Sequence, residues 1–404
     1  DARLDENTGQ YKLLGPRTQR LIQHEYGFFG QDVWRVNQKL TINAGLRWDV
    51  QLPIEPTNSI MSRSTLADLC GISGVGSKYG CNLYQPGASG GKTPTFVEYK
   101  KGEYGYKTDW NNVAPSIGFA WRPYVTSGFG RTILGDPDQA TFRAGYSMAY
   151  SREGMALFTG VVGGNPGSTI SVNRNPDLQA PNNIVNPGET WPVLLRDASR
   201  LSTPSFAQSP VYPIVATRAD NISIFDPDIE VARVRSVTVS FQRAFTKDMA
   251  FEIRYNGTWG KDLWDQQNYN EVNILENGFL NEFLLAQQNL QANQAAYGYT
   301  SKGNTFAYTG APGTSPLPKI LAYFQGLPAA QASDASKYTS SLFTSSTYLT
   351  PLAKYNPAPG TFASNLFCDA GRRANALAAG LPANFFLVNP DVNNAYIYKS
   401  DGYT

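Results

Sequence analysis

The chain has 404 residues, length enough for two or three domains, yet only 16% are charged, against about 25% in an ordinary soluble domain. Aromatics make up 13%, with 23 tyrosines, and mean hydropathy is −0.34, a balance suited to a surface that is polar on one side and meets lipid on the other. The net charge of +2 gives no basic patch or stripe for nucleic acid, and no run approaches the roughly 18 apolar residues of a transmembrane helix.

Asp1–Gln10 is polar and is no signal peptide, so an exported protein is expected to have its start elsewhere. Segments of period-2 alternation, the mark of a strand with two unlike faces, then come in three pairs. In the first, about 23–50, Tyr26, Phe28 and Trp34 share a face and Gln23, Glu25 and Gln31 the other, with Phe29 out of pattern. After a turn at Asn37–Gln38, Leu40, Ile42, Ala44, Leu46, Trp48 and Val50 oppose Lys39, Thr41, Asn43, Gly45, Arg47 and Asp49.

A long segment, about 51–110, follows. It holds Cys70 and Cys81 in one Gly-rich loop, either bridged, in an oxidising compartment, or two loop thiols. Pro86–Thr93 (PGASGGKT) lacks the first Gly of a phosphate-binding loop, and Pro94 stands where its helix would begin, so it is expected to be a flexible loop.

The second pair spans about 111–150. Val113, Pro115, Ile117, Phe119 and Trp121 oppose Asn112, Ala114, Ser116, Gly118 and Arg122; then Phe142, Ala144, Tyr146, Met148 and Tyr150 oppose Thr141, Arg143, Gly145, Ser147 and Ala149. Pro115 is unusual inside a strand. After a second long segment, about 151–232, Asp226–Glu230 (DPDIE) is too short for a calcium shell and is expected to be a solvated turn.

In the third pair, about 234–259, Val237, Val239 and Phe241 oppose Ser236, Thr238, Ser240 and Gln242; Met249, Phe251, Ile253, Tyr255 and Trp259 oppose Ala250, Glu252, Arg254, Asn256 and Thr258, across a turn at Thr246–Asp248. The last long segment, about 260–392, includes Asn281–Ala296, where Phe283, Leu284, Gln287 and Leu290 predict an amphipathic helix packed on its own loop. Cys368 has no visible partner, and a seventh strand is expected to begin near Ser400–Thr404.

A soluble β-sandwich also alternates. Three features favour lipid. The segments are long, at about 11–13 residues, against about 5–6 for a usual strand and about 9–11 for a tilted transmembrane one. Tyr26, Trp34, Trp48, Trp121, Tyr150 and Trp259 cluster near strand ends, as interfacial girdles do. The apolar faces carry almost no charge between their ends; Asp32, His24, Arg235 and Arg243 share that parity and are expected near strand ends, where the cost of charge fades. The expected fold is therefore all-β: part of a transmembrane antiparallel β-barrel, with short periplasmic turns and long extracellular loops. Six strands are too few to close a barrel in lipid, so further strands or other chains are expected to complete it.

The hairpin FFGQDVWRVNQKLTINAGLRWD (Phe28–Asp49) resembles the barrel hairpins of TonB-dependent receptors. So do NNVAPSIGFAWRP (Asn111–Pro123), ATFRAGYSMAY (Ala140–Tyr150), VTVSFQRAFTKDMAFEIRYNGTWGKDL (Val237–Leu263) and LPANFFLVNPDVNNAYIYKSDGYT (Leu381–Thr404), with the Oar-like group most similar, in which a carboxypeptidase-regulatory-like domain precedes plug and barrel. The resemblance implies a 22-stranded barrel, a plug inside it, uptake powered by the TonB complex and a place in the bacterial outer membrane. Plug, TonB box, carboxypeptidase-like domain and an aromatic-ended last strand are not found in these residues, so a barrel fragment is expected and no functional residue carries over.

The expected function is active import of a large or scarce solute, carbohydrate or peptide, with Glu25, Arg47, Arg122, Arg143, Glu252 and Arg254 facing the lumen and its arginines binding the plug. A passive porin, an adhesive surface barrel and a secreted glycan-binding sandwich are the alternatives. No enzyme is expected. One histidine, His24, precludes most His-based triads and multi-histidine metal sites; no cofactor is expected, and nothing places Glu25 and Glu252 at the separation that glycoside cleavage needs.

Overall fold

The computed structural model describes residues 1–76, 80–136, 138–152, 154–172, 206–246 and 248–404. Its centre is an eight-stranded sheet built from β1 (Glu25–Asn37), β2 (Leu40–Gln51), β3 (Val113–Trp121), β4 (Ala140–Tyr150), β5 (Asn221–Phe225), β6 (Arg233–Ala244), β7 (Ala250–Asn268) and β8 (Asn394–Tyr403). The order is β5-β8-β7-β6-β4-β3-β2-β1; only the short β5 runs parallel to its neighbour. The sheet is open.

Register carries the alternation across every strand. Trp34, Ile42, Phe119, Ala144, Val239 and Tyr255 pair in one row, so they share a face. Gln31, Gly45, Ser116, Ser147, Ser236 and Thr258 form a row on the other. A slip of one residue in any pair would mix the faces. Short turns hold the register at one end: the Asn37 side chain accepts from Lys39 N at 2.8 Å, and Phe245 N donates to Met249 O at 2.9 Å. Pro115 is tolerated because it lies beyond the ladder to β4, which starts at Ser116.

The structure departs from the sequence expectation in four places. First, β7 runs nine residues past Trp259, through register shifts between Lys261 and Asp265, and its polar extension pairs with β8 instead of β6. Second, β8 begins at Asn394, ahead of Ser400. Third, Asp32 lies near the middle of β1, not near its end. β1 is the free edge of the sheet, and the Asp32 carboxylate accepts from Val33 N at 2.8 Å, which engages it locally instead of leaving it among apolar neighbours.

Fourth, the long connections are not structureless. Short helix α1 (Leu66–Cys70) lies in the first, α2 (Phe129–Leu134) in the shorter connection between β3 and β4, α3 (Met155–Val162) in the second long one, and α4 (Phe279–Tyr297), α5 (Pro318–Gln325), α6 (Pro359–Phe367) and α7 (Ala370–Ala378) in the last. The largest apolar cluster, with Phe283, Phe306, Phe324, Phe362 and Phe386, belongs entirely to that connection. Two others join connections to one another, one around Phe96, Ile222 and Val392 and one around Tyr99, Phe158 and Phe225. In α4 the buried face is Phe279, Glu282, Phe283, Ala286, Asn289 and Asn293, while Leu284 is exposed. Hydropathy misplaced that stripe because half its residues are polar. Asn289 donates to Phe306 O and Ser315 O, and Asn293 to Thr305 O and Ala307 O, so their burial is compensated.

Cys70 and Cys81 form a disulfide, with Cα atoms 5.3 Å apart and both residues in the Phe96 cluster; Cys368 is free and exposed. The bond closes a short loop, a constraint worth about 2–4 kcal/mol. Replacing both cysteines by serine is expected to speed limited proteolysis within 51–110 at least tenfold, the lower end of that range exceeding the 1.4 kcal/mol of a factor of ten. Equal cleavage rates would show that the bond does not hold the connection.

Candidate functional site

The polar face of the sheet gathers five of the six residues marked in the sequence as lumen-facing. Glu25 at one end of β1 pairs with Arg152 just past β4, 2.7 Å away. Arg47 reaches Asp49, its neighbour two residues along the same face of β2, at 2.8 Å. Glu252 and Arg254 do the same on β7 at 2.6 Å, and Arg143 on β4 donates to Gln242 of β6 at 3.3 Å. Arg122 falls one residue past β3, beside the first short turn, its N–H bonded to Lys39 O. These pairs sit at the surface and add little to stability; their effect is to make the face polar rather than to hold it together.

The charged residues form two groups. Glu25, Arg47, Asp49 and Arg152 lie toward the long connections, whereas Arg143, Glu252 and Arg254 lie toward the short turns. Glu25 and Glu252 are separated by five strand spacings of about 4.8 Å, roughly 24 Å across the sheet, too far to act on one bond. Between the groups runs a band of small residues, Ser116, Gly118, Gly145, Ser147 and Ser236, over a trough of about 310 Å³, with Gly45 beside Ser116 on the same face.

The opposite face decides the environment. Leu46, Phe119 and Ile253 remain 55%, 45% and 60% exposed. None of the buried apolar clusters among the described residues includes a residue of β1 to β4 or β6. A soluble sheet with one such face would bury it against a second sheet or helices. Here the row from Trp34 to Tyr255 is turned outward as it would be toward acyl chains.

A family model described as an outer membrane beta barrel domain matches residues 3–346. The chain belongs to that family. An outer membrane β-barrel domain resides in the bacterial outer membrane, and its apolar face is the one that meets lipid. No curated protein and no solved structure matches the chain.

At the long-connection end this barrel domain carries a feature missed in the sequence. A cavity of about 760 Å³ opens between the first two connections and β5, lined by Arg63, Tyr99, Tyr104, Trp110, Phe158 and Phe225 among others. Burial pushes the Tyr99 phenol well above its ordinary pKa. The run Tyr104–Trp110 (YGYKTDW) was the available signal, but its partners Phe158 and Phe225 lie in the second connection. Asp226–Glu230 is a turn: the Asp226 carboxylate accepts from Asp228 N, and Lys107 pairs with Asp228.

Proposed function

We propose that the chain is the barrel portion of a TonB-dependent type of importer, moving a large or scarce solute across the outer membrane. The observation that supports this most is the two-sidedness of one sheet, a lipid-compatible face backed by a polar face whose centre is made of small residues. A plug domain in the lumen would lie along Gly45, Ser116, Gly145 and Ser147, with Arg47, Arg122, Arg143 and Arg254 as its ionic contacts. The unpaired edges of the open sheet cost several kcal/mol per backbone group in hydrocarbon. Further strands therefore close it, 22 in all in the receptors that its hairpins resemble, whose lumen is plugged. On this reading the short turns face the periplasm and the long folded connections face outward, as a capture layer for carbohydrate or peptide. No catalysis, cofactor or metal is assigned to the chain.

Full-length protein in a strain lacking TonB is expected to take up no solute, since import of this kind draws on the proton-motive force. Unimpaired uptake there rejects active import. Single-channel conductance from the intact protein in a planar bilayer identifies a passive porin, and lost surface attachment with unchanged uptake after deletion identifies an adhesive barrel.

A further inference from the structure

Where all three long connections meet there is a second cavity, of about 380 Å³, reached by Thr93 from the first connection, Val215–Arg218 from the second and Tyr323–Asp391 from the third. Much of its wall is apolar, including Tyr323 on α5, Leu377 on α7, Phe386 and Leu387. Two arginines enter it from opposite connections. Arg218 donates to Val392 O and stacks its guanidinium 5.7 Å from the Phe367 ring centre. Arg373 on α7 donates to Phe367 O at 2.6 Å. The two guanidinium groups thus bracket one residue, Phe367.

Among the described residues neither arginine has a carboxylate within ion-pairing distance. Asp391 lines the same cavity but lies beyond that reach, and the Cys368 thiol stands beside Arg218. Burial pulls the Arg218 pKa below its ordinary value, and the like charge of Arg373 adds to the effect. A guanidinium presents five N–H donors in a fixed fork, so bonds to a carbonyl or two leave donors free. Asp391 acts on Arg218 and Asp369 on Arg373 only from beyond ion-pairing distance, which leaves two half-buried like charges partly uncompensated, a deficit that an anion reduces.

We infer that this cavity binds a small monocarboxylate with an apolar body, its carboxylate held between Arg218 and Arg373 and its body against Tyr323 and Phe386. The volume is near the low end for a ligand pocket, and Asp391 disfavours a dianion, so a carboxylate fits better than a phosphate. A peptide C-terminus and a free apolar acid share that chemistry. The inference rests on the reading above that the long connections face outward, where solute arrives.

The test compares N-acetylphenylalanine with its neutral amide, titrated into purified full-length protein in detergent and followed by calorimetry. The acid is expected to bind at least roughly tenfold tighter than the amide. Arg218→Gln and Arg373→Gln are each expected to weaken the acid roughly tenfold and leave the amide unchanged. Equal binding of acid and amide by the unaltered protein, no saturable binding of either at millimolar probe, or an unaltered acid affinity in the double variant would each overturn the site. A peptide ending in Phe that competes with the acid extends the ligand class to peptide termini, and one that does not restricts it to free acids. The measurement needs no TonB and no uptake, so failure of active import leaves it standing, and its failure leaves active import standing.

Discussion

Arginine at Ile117 is expected to destabilise the lipid-inserted protein by about 2–4 kcal/mol, whereas arginine at Ser116, the next residue along β3, is expected to cost well under that. The two positions are adjacent, both exposed, and near the centre of the same strand. They differ only in face. Ile117 pairs with Ala44 and Tyr146 on the apolar side, and Ser116 with Gly45 and Ser147 on the polar side. A cation at the bilayer centre loses its hydration, while one over the trough keeps it. The full-length protein refolded into lipid vesicles, unfolded in denaturant and followed by heat-modifiable gel migration, reports the difference. Equal penalties for the two substitutions would mean that both faces see the same medium and that neither faces lipid. In a water-soluble particle with both faces open, both substitutions would be near neutral.

The second large effect is expected at Glu282, inside the outer helical layer. This residue is only 3% exposed, and its carboxylate accepts from Lys319 N at 3.0 Å and Ile320 N at 2.7 Å. Those are first-turn donors of α5, whose own N-cap position, Leu317, offers no acceptor side chain. Glu282 therefore caps α5 from α4. Burial pushes its carboxyl up to about 7 against the pull of the two backbone donors and of Lys319. Glu282→Ala strands both donors in the Phe279–Phe386 cluster and is expected to cost about 2–4 kcal/mol at neutral pH, read as faster hydrogen exchange in α4 and α5.

The raised pKa also sets the sign of a pH dependence. Between the ordinary glutamate value of 4.5 and about 7 the folded layer holds a proton that the unfolded one has released. Stability from this group is complete below 4.5 and is lost as pH rises through about 7. Exchange protection of α4 and α5 is thus expected to be greater at pH 5 than at pH 8, by up to about 3 kcal/mol. Glu282→Gln, which has no proton to lose, is expected to abolish that slope. A slope that survives in Glu282→Gln would assign it to another group.

How much could be read in advance differs sharply between sheet and connections. In β1 to β4 and β6 the faces followed from residue parity, because contact in a meander is local and the medium on each side is uniform. Leu46 and Arg47 need only know which side of the ribbon they occupy. Asp32 was misjudged because its partner is the backbone of the next residue at a free edge, which parity does not describe. Arg122, at the margin of the polar face, differs from the others by a single residue of strand length.

The connections obey no such rule. Asn389, fully buried, donates to Asp68 O and Leu69 O at the end of α1, more than three hundred residues earlier, while Asn270 holds Asn389 O, Val392 O and Asn393 O. Nothing in the local sequence marks such asparagines for burial, since an unpaired amide prefers water; only the assembled fold supplies the carbonyls that make it favourable. The same holds for Glu282 and for the pair Arg218 and Arg373.

From its sequence alone this chain determined a ribbon with one face for lipid and one for water, since a two-residue repeat is enough to separate two media. The tertiary structure decided what the intervening segments do: which polar groups are satisfied at long range, where cavities open between connections, and which cations have no carboxylate within ion-pairing distance. Those properties depend on the meeting of residues far apart in the chain, and a repeat within one segment holds no information about them.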